Sequence, residues 1–151
     1  MMGERRFKGI ILVMFLSIAL WSAWVFLSDG RSTTHADAGV YYVSPAGDDV
    51  NSCTAPDAPC RTVQAAVDKA SDGDEVRIAK GSYTGVRRRD GITQVVYIPK
   101  SLNLVGGWNA DFSAHDPSLY PTTVDAQSLG RAMVISGRVT VTLRGLQLTG
   151  G

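Results

Sequence analysis

The chain has 151 residues, 44% of them hydrophobic, and a formal charge of +1 from 15 basic and 14 acidic side chains. That length fits one ordinary domain rather than two, and the charge balance argues against a nucleic-acid binder, which would normally show a basic stripe. Sixteen glycines and six prolines without a three-residue period exclude collagen and suit a turn-rich β protein, while two cysteines are too few for a disulfide-dense mini-scaffold or a four-cysteine zinc site.

The apolar residues are unevenly spread. Arg5, Arg6 and Lys8 against Glu4 make the first residues basic, and Gly9 to Ser28 (GIILVMFLSIALWSAWVFLS) carries no charge at all. Twenty or so helical residues span roughly 30 Å, one hydrocarbon core, and positive charge ahead of them sends the remainder of the chain outward. Residues 1–38 are therefore expected to be a signal peptide or a signal anchor, with an apolar transmembrane helix over 9–28 and a small, polar linker behind it. Ala36-Asp37-Ala38 supplies a small-x-small cleavage site, although it lies well beyond the apolar run. Trp21 and Trp24, placed towards the outer interface, suit an uncleaved anchor. Both readings stay open, and both make residues 39–151 extracytoplasmic: membrane-anchored in one, secreted in the other.

From Gly39 onward eight Arg and three Lys face ten Asp and one Glu, so the exported part is neutral. Val40 to Val43 is a β-branched and aromatic run stopped by Ser44-Pro45, which predicts a strand. Ala46 to Pro59 is dense in Gly, Asp, Asn, Ser and Pro and predicts a loop. Thr62 is placed to cap a helix whose Val63, Ala66, Val67 and Ala70 follow helical spacing, closed by Asp72-Gly73-Asp74. The period then changes to two. Glu75 to Ala79 predicts a strand, Lys80-Gly81-Ser82 a turn, Gln94 to Ile98 a strand, and Leu102 to Val105 another that Gly106-Gly107-Trp108 closes. Asn109 to Gly130 reads as a polar, proline-bearing loop. Arg131 to Leu148 predicts at least two further strands.

A weak repeat aligns Ile98, Leu102 and Leu104 with Ile135, Val139 and Val141, and Gly106-Gly107 with Gly150-Gly151. Short strands at such intervals suggest a solenoid of β-coils, with a β-sandwich as the alternative sharing the same alternation.

Three blocks carry a resemblance: YYVSPAGDD at 41–49, Cys60 to Val67 (CRTVQAAV), and Gly73 to Tyr83 (GDEVRIAKGSY). Together they resemble the opening module of bacterial right-handed parallel β-helix proteins of the pectin-lyase-like superfamily, and GLQLTGG at 145–151 resembles a first regular coil. The resemblance implies an all-β fold, the start of a right-handed parallel β-helix, with an N-terminal α-helix at 62–71 capping its open end. It also implies further coils, so residues 39–151 are expected to be the cap and first coils of a truncated solenoid. The superfamily spans lyases, glycosidases and adhesive surface proteins.

Chemistry is sparse. Cys53 and Cys60 sit in a polar loop of an exported chain, which favours a disulfide over a redox or metal pair lacking C-x-x-C spacing and a nearby His. Asp48, Asp49, Asn51 and Asp57 could offer oxygen to calcium but match no EF-hand and are explained by turns. Arg87-Arg88-Arg89-Asp90 invites a sugar-carboxylate reading, yet adjacent arginines in a loop are more simply a solvated turn. His115-Asp116 has no nucleophile motif beside it. Trp108, Phe112 and Tyr120 could stack on sugars, or fold the 109–130 loop onto the body. In lyases of the superfamily the catalytic residues lie on later coils, so no catalytic, cofactor or metal residue is predicted and no cofactor is expected. The expected role is a non-catalytic surface or adhesive module. Its expected partners are carbohydrate or a cell-surface polymer, and a membrane through the N-terminal helix if that helix is kept. The alternative is the front end of a polysaccharide lyase or glycoside hydrolase.

Overall fold

The computed structural model describes residues 37–151. The expected apolar helix over 9–28 lies outside the described residues, and no helix among the described residues is long and apolar enough to cross a membrane.

This part of the chain is all-β with one short helix. In order it forms β1 (Val40–Val43), α1 (Val63–Lys69), β2 (Glu75–Ala79), β3 (Gly81–Tyr83), β4 (Arg87–Arg89), β5 (Ile92–Ile98), β6 (Leu102–Trp108), β7 (Thr122–Asp125), β8 (Arg131–Ile135), β9 (Val141–Arg144) and β10 (Leu146–Thr149). The strands lie in three sheets, ordered β1-β2-β6-β9, β10-β7-β3 and β4-β5-β8. Every ladder is parallel except the β4–β5 hairpin. From β2 on, the chain visits the three sheets in one cyclic order, so a strand pairs with the strand that follows a full circuit later. Glu75 thus lies beside Asn103, and Leu102 beside Val141.

The core is built from the inward residue of each alternating pair. Val76 and Ile78 of β2, Leu102 and Leu104 of β6, Val96 and Ile98 of β5 and Val124 of β7 are all essentially inaccessible. The ladders place Val76 against Leu104, Tyr83 against Val124, and Val96 against Met133, so like side chains stack strand over strand. Helix α1 covers one end of this stack. The Thr62 hydroxyl accepts a hydrogen bond from the Ala65 N–H at 3.2 Å, and Val63, Ala66 and Val67 are buried in the same cluster. Their small side chains let the helix approach closely. The helix is shorter than expected, ending at Lys69 with Ala70 extended, because the Asp74 carboxylate gathers the N–H groups of Ser71 and Gly39, both at 2.7 Å, into a separate turn.

Several elements depart from the sequence reading. Lys80-Gly81-Ser82 is not simply a turn: Gly81 begins β3, which pairs with β7. Gly106-Gly107-Trp108 continues β6 instead of closing it. The 109–130 stretch contains β7, four residues with Thr122 and Val124 buried. Arg87 to Arg89 form strand β4 rather than a solvated turn, turned back by Asp90 and Gly91, both at positive φ (48° and 79°). That is the backbone a two-residue type I′ hairpin demands, and Asp-Gly is its usual sequence. The repeat aligns differently as well. Ile98 does pair with Ile135, but Leu102 and Leu104 pair with Val141 and Leu143, because the later turn is longer. Gly106 packs against Gly145, so its counterpart is not Gly150.

Buried polar groups hold the capped end. The Tyr83 hydroxyl reaches the carbonyl oxygens of Ala79 (2.8 Å) and Val43 (3.2 Å), and burial pushes its pKa well above the ordinary tyrosine value. A raised folded-state pKa favours the protonated phenol. This stabilisation is therefore present below pH about 10 and is lost as pH rises above it, where the unfolded chain ionises first. Tyr83→Phe is expected to cost about 1–2 kcal/mol at neutral pH by removing the one buried hydrogen bond the phenol donates. It is also expected to flatten the fall in urea midpoint between pH 9.5 and 11. An equally steep fall in the variant would assign that alkaline loss to other groups.

Candidate functional site

Three features converge on the helix-covered end. The first is the disulfide lobe. Cys53 and Cys60 are joined, with Cα atoms 5.1 Å apart, and both are fully buried. Backbone on either side of the bridge closes the outer edge of β1. The Tyr42 N–H donates to the Cys53 carbonyl at 2.7 Å, the Cys60 N–H donates to the Tyr42 carbonyl at 2.8 Å, and the Ser44 N–H donates to the Cys60 carbonyl at 2.9 Å. Asp49 fixes the exit of the lobe, its carboxylate accepting from the N–H of Arg61 (2.9 Å), the N–H of Thr62 (2.8 Å) and the Thr62 hydroxyl (2.9 Å).

The second is a polar strap from helix to hairpin. Gln64, buried, acts as a substitute strand residue for β5: its Oε1 accepts the Tyr97 N–H at 2.7 Å and its Nε2 donates to the Tyr97 carbonyl at 3.2 Å. The same amide donates to Asp68, which also takes a two-pronged contact from Arg89 at 2.8 and 2.5 Å. The hydrogen bonds to Asp68 hold the Arg89 pKa above its usual value. The Tyr97 hydroxyl in turn hydrogen-bonds Asp90 at the hairpin tip.

The third is a cavity of about 470 Å³. It is lined by Pro45 and residues 61–64, which lead into α1, by residues 82–87, which run from β3 to β4, and by Val95. Its lining residues with polar side chains are Arg61, Thr62, Gln64, Ser82, Thr84 and Arg87. The Tyr83 hydroxyl is turned to the Ala79 and Val43 carbonyls, so that residue offers the cavity its ring, and Arg61 Nε donates to the Gly47 carbonyl at 3.0 Å. No carboxylate, imidazole or thiol lines it. The ion pairs among the described residues are Arg77–Glu75 and Arg89–Asp68, so neither cavity arginine is neutralised by a carboxylate. The chemistry this lining offers is anion and hydrogen-bond recognition; the one phenol is held protonated by burial.

The other sequence candidates fall elsewhere. Trp108 and Phe112 fold the 109–121 loop down. Phe112 is buried edge-on against Tyr42 at 5.0 Å, and the Trp108 ring lies between the Arg77 guanidinium (4.7 Å) and the His115 ring (4.9 Å). Tyr120 sits near Lys80, 5.7 Å from ring to ammonium. The Trp108 ring is thus already engaged within the protein. His115 and Asp116 form no dyad: His115 Nε2 contacts the Gly106 carbonyl at 3.0 Å, and Asp116 accepts from the Ser118 N–H at 2.9 Å. Asp48 accepts the Val50 N–H at 3.1 Å, and Asn51 donates to the Pro59 carbonyl at 2.9 Å, so these residues build the lobe. Among the described residues no three His, Cys, Asp or Glu side chains gather into a metal-binding group.

No protein-family model, no curated protein and no solved structure matches this chain. In the sequence Arg87 is a candidate for carboxylate recognition and Thr62 and Val63 are helix residues, with nothing to bring them together. The Asp90-Gly91 pair, not used in that reading, is the local hairpin signal that places Arg87.

Proposed function

We propose that residues 39–151 are the opening turns of a right-handed parallel β-helix in an exported, non-catalytic surface module that contacts carbohydrate or another cell-surface polymer along its outer face. The cyclic visiting of three sheets, the parallel ladders and the helix over the first turn support the fold. The near-universal hand of parallel crossovers supports its direction. The opening resembles that of the pectin-lyase-like superfamily, and export rests on the charge-free run at 9–28.

The observation that carries the functional reading is a pair of outward columns on the largest sheet. Glu75, Asn103 and Thr142 stand side by side on β2, β6 and β9, and Arg77, Val105 and Arg144 form the neighbouring column. Strands about 4.8 Å apart space these side chains regularly, an arrangement suited to an extended polymer rather than a compact substrate. Arg77 is tied to Glu75 at 2.6 Å and Val105 is apolar, so Asn103, Thr142 and Arg144 are the polar groups the columns offer. Amide, hydroxyl and guanidinium are groups that bond sugar hydroxyls.

The full-length chain is expected to be retained on an insoluble polysaccharide. The double variant Asn103→Ala, Arg144→Ala, which changes two exposed side chains, is expected to weaken retention about tenfold through the loss of two hydrogen-bonding groups. Unchanged retention in the variant would remove this face from the reading. Release of ultraviolet-absorbing unsaturated product from polygalacturonate would replace it with a lyase.

A further inference from the structure

At the helix-covered end each of the three sheets has a first strand whose outer edge needs a partner. The edge of β1 is closed by the backbone beside Cys53 and Cys60. The edge of β5 is closed by β4 and, further along, by the Gln64 amide on both backbone groups of Tyr97. β3 is the third, at the end of its sheet beyond β7. Pro45 packs against Gly81 at its start, and from Ser82 on the strand borders the cavity. Gly81 donates its N–H to the Pro121 carbonyl on the β7 side at 3.0 Å. Alternation along a parallel strand therefore turns the N–H and C=O of Ser82 the other way, towards the cavity. An uncovered edge of this kind is a template for another strand.

The surroundings of that edge select what can lie there. Tyr83, Val86, Val63 and Val95 give the cavity apolar walls, and its two charged groups are Arg61 and Arg87, both exposed and neither paired with a carboxylate. Arg88 follows on the same hairpin, also exposed. A volume of about 470 Å³ is in the range that takes a short ligand segment.

We infer that this cavity receives an extended acidic peptide segment, which adds to the free edge of β3 as a strand and places carboxylates against Arg61 and Arg87. Main-chain bonds to Ser82 supply register and the arginines supply charge selection, the usual division in strand-addition recognition. This goes beyond the polymer contact proposed above and uses a different surface.

The test is fluorescence anisotropy with the full-length chain and labelled hexapeptides of alternating β-branched residues, flanked by Asp and Glu in one series and by Lys in the other. The acidic series should bind and the basic series should not, with affinity falling as salt is raised. Arg61→Ala, Arg87→Ala should weaken the acidic peptide at least tenfold. Single N-methylation at the central residues, walked along the peptide, should abolish binding at one position and spare its neighbour, a pattern only backbone pairing produces. Ser82→Pro should lose affinity while keeping the far-UV spectrum, because the N–H it removes does not point at β7 and proline is tolerated on an edge. Uniform tolerance of N-methylation, or equal binding of the basic series, would overturn the inference. So would binding of galacturonate oligomers that survives in the wild type while no peptide binds.

Discussion

Gly106→Ala should lower the unfolding free energy by about 3 kcal/mol, at the upper end of overpacking effects, and be read as a drop in urea midpoint with an unchanged slope. A Cβ on Gly106 would stand 2.5 Å from the Gly145 carbonyl oxygen, 2.6 Å from Leu146 Cδ2 and 2.9 Å from Thr122 Cβ. Gly145 is the bend between β9 and β10, Leu146 opens β10, and Thr122 opens β7. Gly145 has the reciprocal problem, its own added carbon lying 2.6 Å from the Gly106 carbonyl. The obstacle is backbone on both sides, so no rotamer change relieves it. Moving it would separate β6 from β9 and disturb the Thr122 hydroxyl that accepts the Gly107 N–H at 2.9 Å. A midpoint within error of wild type would mean that the two strands do not approach so closely in solution.

Removing the Cys53–Cys60 bridge should cost about 2.5 kcal/mol, the loop-closure entropy of a ring of roughly eight residues in the chain-entropy model. Cys53→Ala, Cys60→Ala and the wild type under reductant are expected to agree in direction, and the variant adds the loss of two fully buried sulfurs. The effect should be concentrated locally. Amide exchange at Tyr42 and Ser44, whose N–H groups bond to the bridge residues, should accelerate more than exchange at Val96 or Leu104. Equal denaturant midpoints with and without reductant would show that the hydrogen bonds of the lobe, those to Asp49 among them, hold it without the bridge.

Legibility followed local pattern. β1, β2 and the helix stripe of Val63, Ala66 and Val67 were readable because each buries one face with its own period, and the Cys53–Cys60 pair because two cysteines close together in one polar loop have each other as nearest partners. β7 was not readable: Thr122 to Asp125 is short, half polar and surrounded by Pro and Ser, and it is a strand only because β3 and β10 lie on either side of it. The two-residue slip in the repeat had a similar cause. Ladder pairing is decided after the turn, and the turn before β9 is longer than the one before β6. Gln64 gave no signal, since its partner Tyr97 lies a sheet away, yet it closes an edge that no strand reaches.

The arrangement of ladders also sets a timetable for assembly. Seven strand pairs hold the described sheets: five join segments separated by a full circuit of chain, β1–β2 spans the disulfide lobe and the helix, and the β4–β5 hairpin alone closes through two residues. A hairpin forms in microseconds, whereas distant parallel strands must first pay the entropy of closing their loops. The nascent chain should therefore carry the Arg87–Ile98 hairpin before any sheet exists, with its arginines already displayed. The strap from Arg89 through Asp68 to Gln64 is the contact by which that hairpin is tied to the helix.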